Sequence, residues 1–304
     1  MKHLLKLMDL SSEEIIDILN LADQLKYEKK NGIEHPILKG KSLGMIFQKS
    51  STRTRVSFEV GMYDLGGQAL FLSSRDLQIG RGEPVEDTAR VLSRYLDAIM
   101  IRTYEQKEVE MLAEYGSIPI INGLTDYCHP CQVLADLMTI REHKGHISGN
   151  KLCFIGDGNN MANSLIVGGI KTGMSVAIAC PKEHQPDAAL MKWASENGNF
   201  LCTDNVEEAA TGADVLYTDV WASMGQEEEA AARRVKFAGY QINERLMSVA
   251  NPGCMVQHCL PAHRGEEITA DVFEAHANEL FDEAENRLHA QKAVLVRCMS
   301  DARK

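Results

Sequence analysis

The chain has 304 residues, 44% of them hydrophobic and 25% charged, with a formal net charge of −11 at pH 7. That length predicts two domains of ordinary globular composition. The negative balance argues against a general nucleic-acid or anionic-membrane binder, yet leaves room for a local arginine cluster that takes a small anion.

The opening "MKHLLKLMDLSSEE" does not read as a signal peptide, because Lys6 and Asp9 interrupt its apolar run. No stretch reaches the ~18 apolar residues that a membrane span needs. The eight cysteines are scattered without a dense framework. They read as reduced thiols in a cytosol-like, cytoplasmic setting. Ser11 and Glu14 form a capping box ahead of a helix whose apolar face is Ile15, Ile18, Leu19, Ala22 and Leu25. Past "HPILKG", short apolar runs alternate with helical stretches. "KSLGMIF", "QALFLS", "AIMIRT" and "IPIING" are predicted strands. "TRVSFEVGMYDLG", "PVEDTARVLSRYL" and "QKEVEMLAEYG" are the helices among them.

The pattern restarts at Lys151, with "KLCFIGDG", "SVAIAC", "FLCTD", "VLYTDV" and "MVQHCL" as strands. "ENRLHAQKAVLVRCM" closes the chain as a helix, and the polar "EHKGHISGN" is the predicted joint. Strands alternating with helices predict an α/β protein of two domains, each a parallel β-sheet flanked by helices on both faces. Ligands in such folds bind beyond the carboxyl ends of the strands.

Six segments at those ends carry chemistry. "FQKSSTRTRVSFE" places Ser51 as an N-cap, with Arg53 and Arg55 in or near the first helical turn. Cations there oppose the helix dipole, which makes sense where an anion fills the site. The competing reading is a solvated basic helix start. The glycine-rich loop of a Walker motif is missing. Arg102 ends a strand at the same rim. In "DYCHPCQVLADL", Pro130 suits the first helical position, so His129 sits near the cap and Gln132 in the first turn. Cys128 and Cys131 lack the second cysteine pair a zinc site commonly needs, and only partly suit a redox motif; the other reading makes them packing residues. Gly156-Asp157-Gly158 invites a dinucleotide reading, but Met161 holds the third glycine position and no acidic ribose partner ends the next strand. Asn159, Asn160 and Asn163 offer amides there instead. Asp219 and Cys259 stand at two further strand ends, with a solvated loop and a buried structural cysteine as the alternatives.

Taken together, "SSTRTR", "QIGRGEP", "IMIRT", "HPCQ", "NNMANS", "DVWASMG", "HCLP" and "ENRLHAQKA" resemble the aspartate and ornithine carbamoyltransferase family over nearly the whole chain. The ornithine-using branch is the closer match. The resemblance implies a carbamoyl-phosphate-binding domain at residues 1–145, completed by a returning C-terminal helix at 285–304, and an ornithine-binding domain at 146–284. It implies that Ser51, Thr52, Arg53 and Thr54 hold the phosphate, and that Gln78, Arg102, His129 and Gln132 complete that site. Asn163, Asp219, Ser223 and Met224 would bind ornithine. Cys259 and Leu260 would line the meeting point of the substrates, and Arg287 would reach back from the last helix. It further implies no metal or organic cofactor, and a homotrimer with the Gln78 segment near a subunit interface. For such chemistry Arg53, Arg102 and His129 suit the charge that grows on carbonyl and phosphate oxygens, while Asp219 and Cys259 orient the attacking amine. Closure of the domains over both substrates would exclude water. Aspartate and putrescine transferases are the nearest rivals. A nicotinamide-dependent dehydrogenase and a zinc module are the rivals outside the family.

Overall fold

The computed structural model describes residues 1–222 and 229–300. Their packing divides the chain into two units, Met1–Ala135 with Asn286–Lys304, and Asp136–Glu285.

Unit 1 opens with α1 (Ser12–Lys30), on which the Ser11–Glu14 capping box is formed. There follow β1 (Ser42–Phe47), α2 (Thr52–Asp64), β2 (Gln68–Ser73), α3 (Val85–Leu92), β3 (Ala98–Arg102), α4 (Gln106–Tyr115), β4 (Ile120–Leu124) and the start of α5 (Pro130–Lys144). The strands form one parallel sheet in the order β2-β1-β3-β4. Ile46, Ile99, Ile101, Val109, Leu112 and Ile120 make one of its cores. The edge strand β2 is less covered than predicted: Leu70 and Phe71 are exposed, and the Arg55 guanidinium lies 3.8 Å from the Phe71 ring centre.

Unit 2 runs β5 (Lys151–Ile155), α6 (Asn160–Lys171), β6 (Ser175–Ala179), α7 (Ala188–Asn197), β7 (Phe200–Thr203), α8 (Val206–Ala210), β8 (Val215–Thr218), α9 (Ala230–Phe237), α10 (Glu244–Val249), β9 (Met255–His258), α11 (Ala270–Ala275) and the first half of α12 (Ala277–Met299). Its parallel sheet has the order β7-β6-β5-β8-β9. Cys153, Ile155, Ala177, Leu216, Val256 and Phe273 pack in its core. Among the described residues no helix is long and apolar enough to cross a membrane.

The divisions fall inside helices. Within α5, Cys131 donates its S–H to Asn122 O in unit 1, whereas the Asp136 carbonyl accepts from Gln257 Nε2 in unit 2. The division by packing thus falls within α5, between Ala135 and Asp136. Helix α12 begins at Ala277, earlier than predicted, because residues 277–284 hold no helix breaker. From Asn286 it packs on unit 1. Gly61 permits the approach: a Cβ there would stand 3.2 Å from Lys292 Cγ. Lys26 Nζ donates to Asn286 Oδ1 at 2.8 Å, and Lys292 Nζ reaches His35 Nε2 at 2.6 Å and Asp64 Oδ2 at 3.3 Å.

Candidate active site

In unit 1 the strand order reverses between β1 and β3, the position where open α/β sheets bind ligands. The register sets Phe47 beside Arg102, and the Arg102 carbonyl accepts from Gln48 N at 2.9 Å. The β1–α2 turn and Arg102 thus share one rim. Ser51 caps α2, its Oγ accepting from Thr54 N at 3.2 Å and donating to Thr54 Oγ1 at 3.1 Å. Arg53 follows in the first turn. Arg55 does not join it: its Nε binds Glu59 at 3.0 Å on the exposed face of α2, over Phe71. Of the two arginines predicted at this helix start, one faces the rim cluster.

Pro130 opens α5 as predicted, with His129 directly before it and Gln132 in the first turn. Both are buried. Arg287 on α12 ties the pieces together. Its Nη1 donates to Gln132 Oε1 at 2.6 Å, its Nη2 to Thr54 Oγ1 at 3.2 Å and its Nε to Gln291 Oε1 at 3.0 Å. Gln291 Nε2 continues to Ser57 Oγ at 2.7 Å, and Ser57 Oγ to the Arg53 carbonyl. Gln291 and Ser57, which the sequence did not single out, brace Arg287 and the arginine-bearing turn. Their signal was the helical spacing of Gln291 from Arg287.

The electrostatics decide what this rim accepts. His129 is held well below the usual histidine range, first by burial and then by Arg287, Arg102 and Arg53. Its imidazole is neutral at pH 7. Three guanidiniums therefore act on one buried point and make it positive in a chain whose net charge is −11. A neutral imidazole with guanidiniums around it polarises a carbonyl and stabilises oxyanion charge. Gln78 lies apart from this network: it opens a 3-10 helix at Gln78–Arg81, is exposed, and has no described hydrogen bond to the cluster.

The cysteines of "DYCHPCQ" pack. Cys128 accepts from Asn122 Nδ2 at 3.3 Å and donates to Gln106 Oε1 at 3.4 Å; Cys131 donates to Asn122 O at 3.3 Å. Burial pushes both thiols up to about 12. They are thiols, not thiolates.

In unit 2 the order reverses between β5 and β8, and three neighbouring strands end together. Asn159 follows β5, Asp219 follows β8 and Cys259 follows β9. Asn159 caps α6 through Oδ1, and its Nδ2 donates to Asp219 Oδ2 at 2.9 Å. Cys259 Sγ donates to Asp219 Oδ1 at 3.0 Å. Burial, then Asp219, raises the Cys259 thiol well above its ordinary range. It therefore acts as a protonated donor. Asn163 accepts from Asp187 N at 3.1 Å through Oδ1, which fixes the amide and directs Nδ2 elsewhere. Ser223 and Met224 lie outside the described residues. Arg233 binds Asp157 and the Trp221 carbonyl just ahead of them, an anchor the sequence reading missed.

The dinucleotide reading of Gly156-Asp157-Gly158 fails on contact. A Cβ at Gly158 would meet Gln185 C, His184 O and Pro186 N at 2.4 Å each. The glycine permits approach of the chain's own loop, at the place where a pyrophosphate would lie. Asp219, His258 and Cys259 bring ligand-type atoms within 4.8 Å of one another, as do His263, Glu266 and Glu267. The first group is already engaged internally, since His258 Nδ1 accepts from Leu260 N and Nε2 donates to Glu267.

Residues 2–142 match the aspartate/ornithine carbamoyltransferase carbamoyl-P binding domain, and residues 148–298 the Asp/Orn binding domain of the same family. The chain belongs to the aspartate/ornithine carbamoyltransferase family. It is 55% identical to the ornithine carbamoyltransferase of Carboxydothermus hydrogenoformans over 299 residues, covering 97% of this chain and 96% of that one. With that of Pyrococcus abyssi it shares 56% over 299 residues, 97% of this chain and 94% of the relative. The solved ornithine carbamoyltransferase of Pyrococcus furiosus superposes with a TM-score of 0.94 at 53% identity, covering 99% of this chain and 97% of that one. The anabolic ornithine carbamoyltransferase of Campylobacter jejuni gives 0.92 at 42%, covering 98% and 99%.

Proposed function

We propose that the chain transfers the carbamoyl group of carbamoyl phosphate to the δ-amine of L-ornithine, giving L-citrulline and phosphate. One observation carries the reading beyond family membership: the two strand-end sites have opposite polarity. Three guanidiniums hold His129 neutral in unit 1, while in unit 2 a buried carboxylate, Asp219, receives a thiol and an amide.

Ser51, Thr52, Arg53 and Thr54 hold the phosphate, their hydroxyls and the α2 backbone N–H groups converging with a guanidinium fork. Arg102 and neutral His129 take the charge that develops on the carbamoyl oxygen and the leaving phosphate. Gln132, gripped by Arg287, orients the carbamoyl amide. In unit 2 Asp219 balances the α-ammonium of ornithine, and Asn163 offers its amide to the carboxylate. Ser223 and Met224 complete that site. Cys259, as a thiol, and Leu260 address the δ-amine, which attacks in its neutral form. The proposed assembly is a homotrimer in the cytoplasm, working toward arginine, with Gln78 completing the carbamoyl phosphate site from a segment near a subunit interface. Its exposure and the bared Leu70 and Phe71 of β2 fit that role.

The test offers ornithine, putrescine and aspartate separately with carbamoyl phosphate. Ornithine should be strongly preferred by kcat/KM, because a site built for a carboxylate leaves its own polar atoms unmet by putrescine. Putrescine or aspartate turning over as well as ornithine would refute the assignment.

A further inference from the structure

We infer that Cys202 is a modification site: a nucleophilic thiolate, held by the Cys180 S–H, that exchanges with small disulfides. The inference stands on unit 2 alone and does not depend on the carbamoyl-transfer reading.

The pairing follows from the sheet. β6 and β7 are parallel neighbours, and Ile178 stands opposite Cys202. Cys180 lies two residues past Ile178, so it returns to the same face of the sheet. Its N–H donates to the Thr203 carbonyl at 3.1 Å, which keeps the two strand ends together. The two sulfurs meet at 3.9 Å, within reach of an S–H···S hydrogen bond. One of them must donate, and burial decides which. Cys180 is 1% exposed, whereas Cys202 lies half-buried on β7, an edge strand of the sheet. Charge is disfavoured where water is excluded, so the anion forms on Cys202 and Cys180 keeps its hydrogen. The hydrogen bond from Cys180 lowers the Cys202 thiol below its ordinary range, against the cost of its own burial. For Cys180, the contact with Cys202, burial, and the charges of Asp157 and Asp204 all push upward. Asp157 is itself paired with Arg233 and His184, and Asp204 with Lys182 at 3.2 Å; the Tyr240 hydroxyl donates to the Asp204 carbonyl. The other thiols supply the contrast. Six of the eight cysteines are buried, and Cys259, half-buried like Cys202, is raised by burial and by Asp219. An accessible sulfur beside a carboxylate stays protonated, while one beside a donor gives up its hydrogen. The Cys202 thiolate then attacks one sulfur of a disulfide R–S–S–R. The new S–S bond forms at Cys202 as the old one breaks, and R–S⁻ leaves and takes a proton from water. The small disulfide is itself the oxidant.

The test uses the intact, reduced protein. Limited iodoacetamide labelling over a pH series, read by peptide mass mapping, gives a rate at each cysteine. At pH 7 Cys202 should label about tenfold or more faster than any other cysteine, because the thiolate is the nucleophile and the rest are enclosed or protonated. Its rate should level off at a lower pH than that of a cysteine in an unstructured peptide. Cystamine, a small disulfide, should leave one cysteamine per chain, on Cys202, and dithiothreitol should remove it. Cys180→Ala takes away the donor. The Cys202 labelling curve should then move to higher pH, with a rate at pH 7 about tenfold lower, the scale of one hydrogen bond to a charged group. Cys180→Ser restores a donor and should bring the curve part of the way back. A wild-type Cys202 curve at or above that of the free peptide overturns the inference without recourse to any variant. So does labelling or cystamine addition led by another cysteine, or a Cys202 curve indifferent to Cys180→Ala.

Discussion

In unit 1 the switch between β1 and β3 gathers Arg53, Arg102 and Arg287 about a neutral imidazole, while in unit 2 the switch between β5 and β8 gathers Asp219, Asn159 and a half-buried thiol. The topological position is the same and the chemistry is inverted. A sheet that ends its strands at a reversal of order supplies a crevice and helix N-termini, whatever the residues. Residue choice at those ends then sets the sign. Unit 1 places a cation where the α2 dipole already favours an anion; unit 2 places a carboxylate there. The overall charge of −11 reveals neither site, because both depend on a few groups in partly dry surroundings.

The sharpest way to break this contrast is to discharge unit 1. Arg53→Ala should reduce kcat/KM for carbamoyl phosphate about a thousandfold, the upper range for removing one preorganised donor to developing charge. Arg53→Lys should rescue it poorly, since an ammonium lacks the planar fork. Thermal unfolding should stay close to wild type, as Arg53 is only partly buried. Near-normal kinetics in Arg53→Ala would remove the phosphate assignment.

Discharging unit 2 should act on the other substrate. Asp219→Asn should cost about a hundredfold in kcat/KM for ornithine, the scale of a lost charge-assisted partner, while carbamoyl phosphate still binds. A second readout follows from the thiol. Asp219 helps raise Cys259, so removing its charge lowers the thiol's pKa. Cys259 should then be alkylated faster in the variant at a fixed alkaline pH, with the substrate-free wild type the slower of the two. Unchanged ornithine saturation and unchanged alkylation would together show that Asp219 is not the charged group of this site.

A pH series sharpens the contrast with a smaller effect. The amine must be free, so kcat/KM for ornithine should climb as pH rises from neutral, by up to about tenfold per unit. His129 adds no limb there, because its pKa lies well below 6.5 in the folded chain. Its imprint belongs to stability. The folded state holds it neutral and the unfolded state does not, so the unfolded state binds more protons as pH falls below the ordinary histidine range. Its contribution to stability is present above that range and is lost on acidification. Urea titrations from pH 7 to pH 5 should show a smaller acid loss in His129→Gln than in wild type. An equal loss in both would mean that His129 is charged in the fold.

Much of this was legible in the chain because it was local. The Ser11–Glu14 box, the Ser51 cap and the Pro130 helix start are written in adjacent residues, and each forms as predicted. Strand and helix alternation foretold two parallel sheets. What escaped the sequence is long-range. Arg55 and Arg53 look alike in "SSTRTR", and only the exposed Phe71 of β2 and Glu59 draw Arg55 aside. The pairing of Asp219 with Cys259 depends on β8 and β9 being neighbours, which no spacing announces. The His258–Glu267 pair was in plain view in "HCLPAHRGEE", but nothing in a sequence tells which ring nitrogen carries the hydrogen. Whether Cys259 serves as thiolate or donor was likewise open, since it turns on burial and on the carboxylate beside it.

The smallest effect concerns Cys128 and Cys131, and it tests whether polarity alone, rather than sulfur chemistry, belongs to the unit 1 rim. Both thiols are buried, both are pushed up to about 12, and their named partners are Asn122, Gln106, Thr125 and the Leu5 carbonyl. Each S–H is a weak donor to an oxygen that holds the β4–α5 connection in place. Replacing either by alanine removes one small atom and one weak hydrogen bond. About 1 kcal/mol of stability should go with it, seen as a modest fall in unfolding temperature. Activity should change less than about twofold, because neither sulfur bears on the charge around His129. His129→Ala is the control, one residue from Cys128 and two from Cys131: it should lose much of the activity from the same short segment. Purified protein should also show no zinc released by either substitution. One zinc per chain, lost on changing Cys128 or Cys131, would restore the metal reading and make the neighbouring histidine a ligand rather than a donor.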